Sequence, residues 1–242
     1  MIEDQERILL RGASREFYVK AGAGKLSTDK GIIDLDAIVG MEPGNEIQTH
    51  LGVGFSVRIP RPTDFFQHAK RSGAPMLPKD IGTVIAYTGM NRQDQVLDAG
   101  TGSGIASIYF GGIAAHVTTY ERREDFAQLA QKNIADAGLE NVEVRAGDML
   151  EAEGEFDIVH LDMQISEEHV RHAYELLRPG GYLATYTPFL EQTFGVLDVA
   201  QELFSEVTCH EMIGREIVRS ERGTRPSTRV CHTGYITIAR KD

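Results

Sequence analysis

VLDAGTGSG, running from Val96 to Gly104, reads as the end of a buried strand, a glycine-rich turn and the entry to a helix that begins at Ile105. That order makes the ligand-binding corner of a doubly wound α/β domain. Glycine lets backbone approach a ligand closely, and a helix N-terminus offers unpaired N–H groups to a negative group. The spacing is not that of the dinucleotide fingerprint G-x-G-x-x-G, which calls for glycine where Ile105 stands. The candidate ligand contacts here are Asp98, Gly100, Thr101, Gly102, Ser103 and Gly104. A purely structural glycine turn is the competing reading.

The following residues alternate as βα units. Residues 116–120 pattern as a strand ending at Glu121, an acid placed to accept both hydroxyls of a ribose. Residues 122–137 form a helix with Phe126, Leu129, Ala130, Ile134 and Ala137 on one face. A third strand, 142–145, leads to Gly147 and Asp148. The fourth, 156–161, is apolar almost throughout, hence buried on both faces, and ends at Asp162. A helix over 167–177 is stopped by Pro179-Gly180-Gly181, followed by a strand at 182–186 and a helix at 189–204. Residues 207–218 and 230–239 read as two strands joined by the polar loop 219–229. If they form one hairpin centred on Ser220, Cys209 and Cys231 face each other.

Ahead of the glycine turn the chain changes character. Short strand candidates at 7–10, 16–20, 46–50 and 55–59, separated by glycines, indicate a small β-rich domain over residues 1–60. Residues 32–39 fit a strand or one helical turn equally. A helical linker over 61–90 follows, with Thr63 as N-cap of its first helix and a second helix over 79–87 started by Pro78. Residues 91–242 form the main domain.

The 242 residues suit one large domain with a small appendage. No apolar run reaches the ~18 residues of a membrane helix, and the start MIEDQERILL lacks a signal-peptide pattern, so a cytoplasmic protein without a membrane partner is expected. Two cysteines make neither a disulfide framework nor a four-ligand zinc site, and no metal is expected. The net charge of −11 argues against a nucleic-acid partner, since phosphate contacts need Lys and Arg. Two stretches are nevertheless locally basic: Arg58, Arg61, Lys70, Arg71 and Lys79, and Arg215, Arg219, Arg222, Arg225 and Arg229.

The acidic-x-G-x-G-x-G pattern resembles motif I of the class I S-adenosylmethionine (SAM) methyltransferases. The likeness narrows with Pro78-Lys79-Asp80, Tyr120-Glu121-x-Arg123-Glu124-Asp125-Phe126, Leu161-Asp162, Thr187-Pro188-x-x-Glu191-Gln192, Arg225-Pro226 and His232-Thr233-Gly234-Tyr235, the chain closing on Ala239-Arg240. These stretches resemble the tRNA (adenine-N1)-methyltransferases of the TrmI type over nearly the whole chain. The resemblance implies a mostly parallel seven-stranded methyltransferase sheet with a small N-terminal β-domain, usually as a homotetramer. It implies SAM as cofactor and methylation of adenine N1 in the T loop of tRNA, commonly at position 58. The glycine turn would hold the methionine end of SAM, Glu121 its ribose and Asp148 its adenine amine; Arg122 and Met149 beside these acids complete the cofactor set. Asp162 matches the family's catalytic Asp. After that residue the family usually carries Pro-Trp, where this chain reads Met163-Gln164-Ile165-Ser166, and Leu77 stands where an aromatic residue or His is usual before Pro-Lys-Asp. A class I methyltransferase for another substrate, and a non-catalytic RNA-holding subunit, are the alternatives.

Overall fold

The computed structural model describes residues 1–71, 73–228 and 231–242. It divides into two compact units, Met1–Ala69 with Asn133–Gly138, and Lys70–Lys132 with Leu139–Asp242. Arg229 and Val230, expected in the polar loop and at the start of the last strand, lie outside the described residues.

The first unit is β-rich. Strands β1 (Arg7–Arg11), β2 (Glu16–Lys20), β3 (Lys25–Thr28), β4 (Gly31–Asp34), β5 (Glu46–Gln48) and β6 (Gly54–Arg58) form an antiparallel sheet in the order β2-β1-β6-β5 and a separate β3–β4 hairpin. Ile8, Leu10, Ile33, Phe55 and Val57 fill its core. Residues 32–39 contain both of the forms that fit them. β4 alternates, Ile33 pointing to the core and Ile32 outward, and a 3-10 turn follows at Asp36–Ile38. Helix α1 (Pro62–His68) starts at Pro62, whose missing N–H costs nothing there. The Asp64 carboxylate accepts the Arg61 N–H at 2.7 Å. Thr63 is therefore inside the first turn and not the expected N-cap, because proline fixes the helical start one residue earlier.

The second unit opens with α2 (Pro78–Thr88), ended by Gly89 in the left-handed conformation. Then come β7 (Gln95–Ala99), α3 (Ile105–Gly111), β8 (His116–Glu121), α4 (Glu124–Asp136, of which the residues from Asn133 on belong to the first unit), β9 (Val142–Ala146), β10 (Phe156–Leu161), α5 (Glu167–Leu176), β11 (Leu177–Thr187), α6 (Leu190–Leu203), β12 (Glu206–Glu211), β13 (Ile217–Ser220), β14 (Gly223–Pro226) and β15 (Tyr235–Arg240). The seven-stranded sheet has the order β12-β15-β11-β10-β7-β8-β9. Only β15 runs antiparallel to its neighbours. The chain reverses direction across the sheet between β7 and β10, and ligands of such sheets bind at the strand ends beside that point. Leu97, Ala99, Val159, Leu161 and Leu183 are buried in this sheet.

Three expectations are corrected. Helix α5 ends at Leu176, ahead of Pro179-Gly180-Gly181, and Lys241 Nζ caps its open carbonyls by donating to Tyr174 (2.7 Å) and Leu177 (2.6 Å). The two long C-terminal strands are each divided: β12 pairs with β15, and the polar loop folds as its own β13–β14 hairpin. Cys209 consequently lies opposite Thr237, and no disulfide joins it to Cys231. Among the described residues no helix is long and apolar enough to cross a membrane.

Candidate functional site

The site is built at the carboxyl ends of β7, β8 and β10. Asp98, in β7, is fully buried and accepts hydrogen bonds from Ser107 Oγ (2.7 Å), Thr119 Oγ1 (2.8 Å) and His160 Nδ1 (2.7 Å). Burial works to raise its carboxyl; the bonds, led by His160, outweigh that and hold it below the ordinary carboxylate range. Asp98 thus stands behind the glycine turn rather than on a cavity wall.

Past Asp98 the chain turns through Gly100, whose φ is 89° and whose N–H donates to the Tyr120 carbonyl at 3.0 Å. A Cβ at Gly100 would overlap the Asp162 carbonyl. Asp162 N–H in turn donates to the Ala99 carbonyl at 2.8 Å. Glycine at 100 is therefore what lets the β7 and β10 ends close on each other. Thr101 bonds to Thr119 (2.6 Å), and Gly104 precedes α3 as its N-cap.

Two cavities meet here. One, of about 630 Å³, is lined by Gly100, Glu121, Arg122, Met149, Asp162 and Met163 among others. A smaller one, of about 190 Å³, is lined by Met76, Thr101, Gly102, Ser103, Phe126 and Asp162 among others. Glu121 is 4% exposed and accepts the Gly102 N–H at 2.9 Å. It also takes the Arg123 N–H at 3.1 Å and the Arg123 guanidinium at 3.0 and 3.3 Å. Burial pushes its carboxyl up, and Arg123 with the Gly102 N–H pulls it below its usual range. Asp148 sits between two lining residues, Gly147 and Met149; it caps a 3-10 turn through Leu150 N–H at 3.1 Å and lies 3.5 Å from Arg122 Nε. Asp162 lines both cavities. Burial raises its carboxyl to about 6, opposed by His160 and reinforced by Asp98 and Asp80.

Of the expected residues, Gly100, Thr101, Gly102, Ser103, Glu121, Arg122, Met149 and Asp162 come together on these walls, whereas Asp98 and Gly104 support them from outside. Sequence reasoning missed Arg123, which covers Glu121 and lies 3.5 Å over the Phe126 ring, and His160, a histidine in an apolar strand with no signal of its partner. It also read Lys79 as a surface cation. Its Nζ is instead engaged by Asp80, the Met212 carbonyl and Thr233.

Comparison with known proteins gives concordant matches. A family model described as a methyltransferase domain matches residues 90–222. The tRNA (adenine(57)-N(1)/adenine(58)-N(1))-methyltransferase TrmI of Methanocaldococcus jannaschii is 33% identical, over 97% of this chain and 94% of the relative. A solved SAM-dependent O-methyltransferase from Thermotoga maritima superposes with a TM-score of 0.85 at 31% identity, covering 99% of this chain and 94% of that one. The tRNA (m1A58) methyltransferase TrmI of Aquifex aeolicus gives 0.80 at 25%, covering 100% and 98%.

The Asp98 cluster generates a stability prediction. Asp98→Ala leaves His160 Nδ1 and two hydroxyls without their acceptor in the core, and loss of one partner from such a buried cluster costs about 3–5 kcal/mol. The folded carboxyl titrates below its unfolded value, so the stabilisation is present above about pH 4 and is lost as pH falls further. Urea unfolding of the variant and wild type at pH 7 measures it; a difference under 1 kcal/mol contradicts the clustered arrangement.

Proposed function

We propose, for a chain that belongs to the TrmI family of tRNA (adenine-N1)-methyltransferases, that it catalyses SAM-dependent methylation of adenine N1 in the T loop of tRNA, commonly at position 58. The observation that carries the reading is Asp162, a carboxyl with a raised pKa at the place shared by both cavities. Burial with perturbed titration in a cleft is the setting of a working acid–base group.

The residues present fit SAM. The larger cavity joins a buried carboxylate, Glu121, to the apolar side chains of Met149 and Met163, as a ribose and a purine require. Gly100 to Ser103 supply closely approachable backbone for the methionine end, and Asp148 with Arg122 belongs near the adenine. SAM, when bound, supplies an electrophilic methyl group. The lone pair of adenine N1 would form the new N–C bond as the S–CH3 bond breaks and its electron pair goes to the sulfur, leaving the base cationic and the sulfur a neutral thioether. Asp162 in its ionised form accepts the exocyclic amine, stabilises that charge, and takes the proton if the amine gives it up. T-loop adenine is paired and buried, so the enzyme has to expose it. The β-rich domain over residues 1–60, the exposed Arg58, Arg61, Lys70 and Arg71, and the exposed Arg215, Arg219, Arg222 and Arg225 are the surfaces we assign to the opened tRNA.

We assign the enzyme to the cytoplasm, as a homotetramer. Support for assembly comes from large apolar side chains left in solvent: Phe189 (62%), Phe194 (55%), Ile213 (62%) and Ile217 (61%). Light scattering behind size exclusion is expected to give the tetramer mass, and a monomer mass refutes it.

Two further predictions test the site. Glu121→Ala removes a charged acceptor from the ribose hydroxyls and is expected to weaken SAM binding by about 1.5–3 kcal/mol in calorimetric titration. Unchanged affinity places the ribose elsewhere. For Asp162, kcat/KM on tRNA is expected to rise with pH through about 6, as the carboxyl ionises. Asp162→Asn keeps the shape and loses the charge, so its kcat should fall about 10²–10³-fold at saturating SAM. The folded pKa lies above the unfolded one, so ionisation costs stability as pH rises from about 4 to about 6. The same variant is therefore expected to be more stable than wild type at pH 8, by roughly 1–2 kcal/mol after allowing for partial exposure of the site. A near wild-type rate for Asp162→Asn overturns its catalytic role.

A further inference from the structure

Helix α5 turns two histidines toward the loop that follows β9. His169 and His172 are three residues apart, hence on one face of the helix. The 3-10 turn Met149–Glu151 lies against them, opened by Asp148 as N-cap and closed by Ala152. At the closing end His172 Nε2 donates to the Ala152 carbonyl at 3.0 Å. At the opening end His169 Nε2 lies 3.7 Å from Asp148 Oδ1, just beyond hydrogen-bond reach. Met149, inside the turn, is a buried wall of the larger cavity.

The other nitrogen of His169 settles where its hydrogen is. Nδ1 accepts the Ser166 backbone N–H at 3.0 Å and meets Ser166 Oγ at 2.7 Å, which closes the capping box of α5. A nitrogen that takes a backbone N–H holds a lone pair, so the neutral ring carries its hydrogen on Nε2. Burial holds the imidazole below its ordinary range, against the pull of Asp148, and favours that neutral form. His169 is 8% exposed, and its Nε2 is buried without a hydrogen-bond partner among the described residues. Such open donors are rare inside proteins. Across the gap, Asp148 Oδ1 takes the Leu150 N–H at 3.1 Å, and Oδ2 lies 3.5 Å from Arg122 Nε. A carboxylate oxygen has two lone pairs, so a bond from His169 fills Oδ1 and leaves Oδ2 to a ligand.

We infer that His169 is a positioning residue for Asp148: its Nε2–H closes onto Oδ1 when the adenine amine of the cofactor takes Oδ2, and this bond sets the preference for a purine that carries an amine. The inference rests on the proposed placement of the SAM adenine near Asp148 and supplies the group that orients that acid. Contraction from 3.7 Å to a charge-assisted bond of about 2.8 Å is a side-chain movement of about 1 Å. Hydrogen bonds of this kind are often long in a free enzyme and tighten on ligand binding.

The test is calorimetric binding to the full-length protein of S-adenosylhomocysteine, the demethylated cofactor, and of its analogue with unsubstituted purine as the base. The ratio of the two affinities reads the amine contact alone. His169→Phe is expected to weaken S-adenosylhomocysteine about 3–10-fold and to leave the purine analogue unchanged, lowering the ratio by that factor. His169→Gln offers an amide oxygen to the Ser166 N–H and an amide N–H to Asp148, and is expected to restore the ratio. A capping role alone shifts the thermal midpoint and weakens both ligands equally. The Asp148→Ala/His169→Phe double variant should keep the ratio of Asp148→Ala. A wild-type ratio in His169→Phe overturns the inference, and so does a ratio in the double variant below that of Asp148→Ala. A wild-type ratio in Asp148→Ala refutes the adenine placement itself, a failure separate from that of His169. If His169→Phe fails to fold, ring-nitrogen resonances of histidine-labelled wild type decide. The Nε2–H signal must move on adding S-adenosylhomocysteine and not the purine analogue; a hydrogen on Nδ1, or an equal response to both ligands, refutes the inference.

Discussion

A carboxyl without solvent, Asp98, holds the second unit at its centre. Its three donors come from three different elements: Ser107 from α3, Thr119 from β8 and His160 from β10. A buried charge short of its partners costs several kcal/mol, so the core is favourable only when all three elements are in place together. Asp98 and Ser107 bracket the glycine turn, and tying both ends leaves residues 100–104 little freedom. The Tyr120 carbonyl then takes the N–H groups of Gly100 and Thr101, and the Ala99 carbonyl takes that of Asp162. The position of Asp162 is in this sense a consequence of how Asp98 is satisfied.

From that arrangement three acids of one site acquire different chemistry. Asp98 and Glu121 are both buried, and both are held low, because enough N–H and O–H donors aim at them to outweigh burial. Asp162 is pushed the other way, with Asp98 and Asp80 adding like charge nearby. Neighbouring acids separated in this manner divide their roles, the low ones serving as fixed acceptors and the high one titrating near neutral pH. Asp148 is the exception among the expected residues. It is partly exposed and occupied by a local turn, which suits an acceptor that a nucleobase reaches from outside.

How much of this was legible in the sequence depends on what each signal measures. Period and apolar runs report burial, so the strands packed inside the sheet were readable almost to the residue, 156–161 among them. The β13–β14 hairpin is exposed at every position and carries no burial pattern, so it was read as a loop inside a longer strand pair. The cysteine pairing failed with it, since the register was drawn about Ser220, whereas the hairpin closes with Ser220 opposite Gly223 and β12 meets β15 with Cys209 opposite Thr237. Motif spacing located Glu121 and Asp162 because a strand end is a fixed place. It gave no warning of Lys79 turning inward or of His160 meeting Asp98, which are long-range side-chain encounters without a local pattern.

The substrate end of the site departs from its family's usual aromatic composition, and the consequence is energetic. Leu77 and Met163-Gln164-Ile165-Ser166 stand where aromatic or Pro-Trp residues are usual, and Phe126, in the smaller cavity, is covered by the Arg123 guanidinium. Stacking on an exposed aromatic ring is worth about 1–3 kcal/mol per base, so losing those residues shifts binding onto what the site retains. Within the site that is Asp162, the walls of Met76 and Met163, Tyr120 in the larger cavity and Tyr186 at the strand end beside Asp162. Outside it, affinity for a polyanion must come from local cations, because the chain as a whole carries −11. The four exposed arginines of the 215–225 segment are the densest such cluster in the second unit. On the proposed reading, then, holding the tRNA and selecting the base are separated: phosphate contacts supply binding that depends steeply on salt, and the strand ends, where Asp162 sits, supply the choice of base.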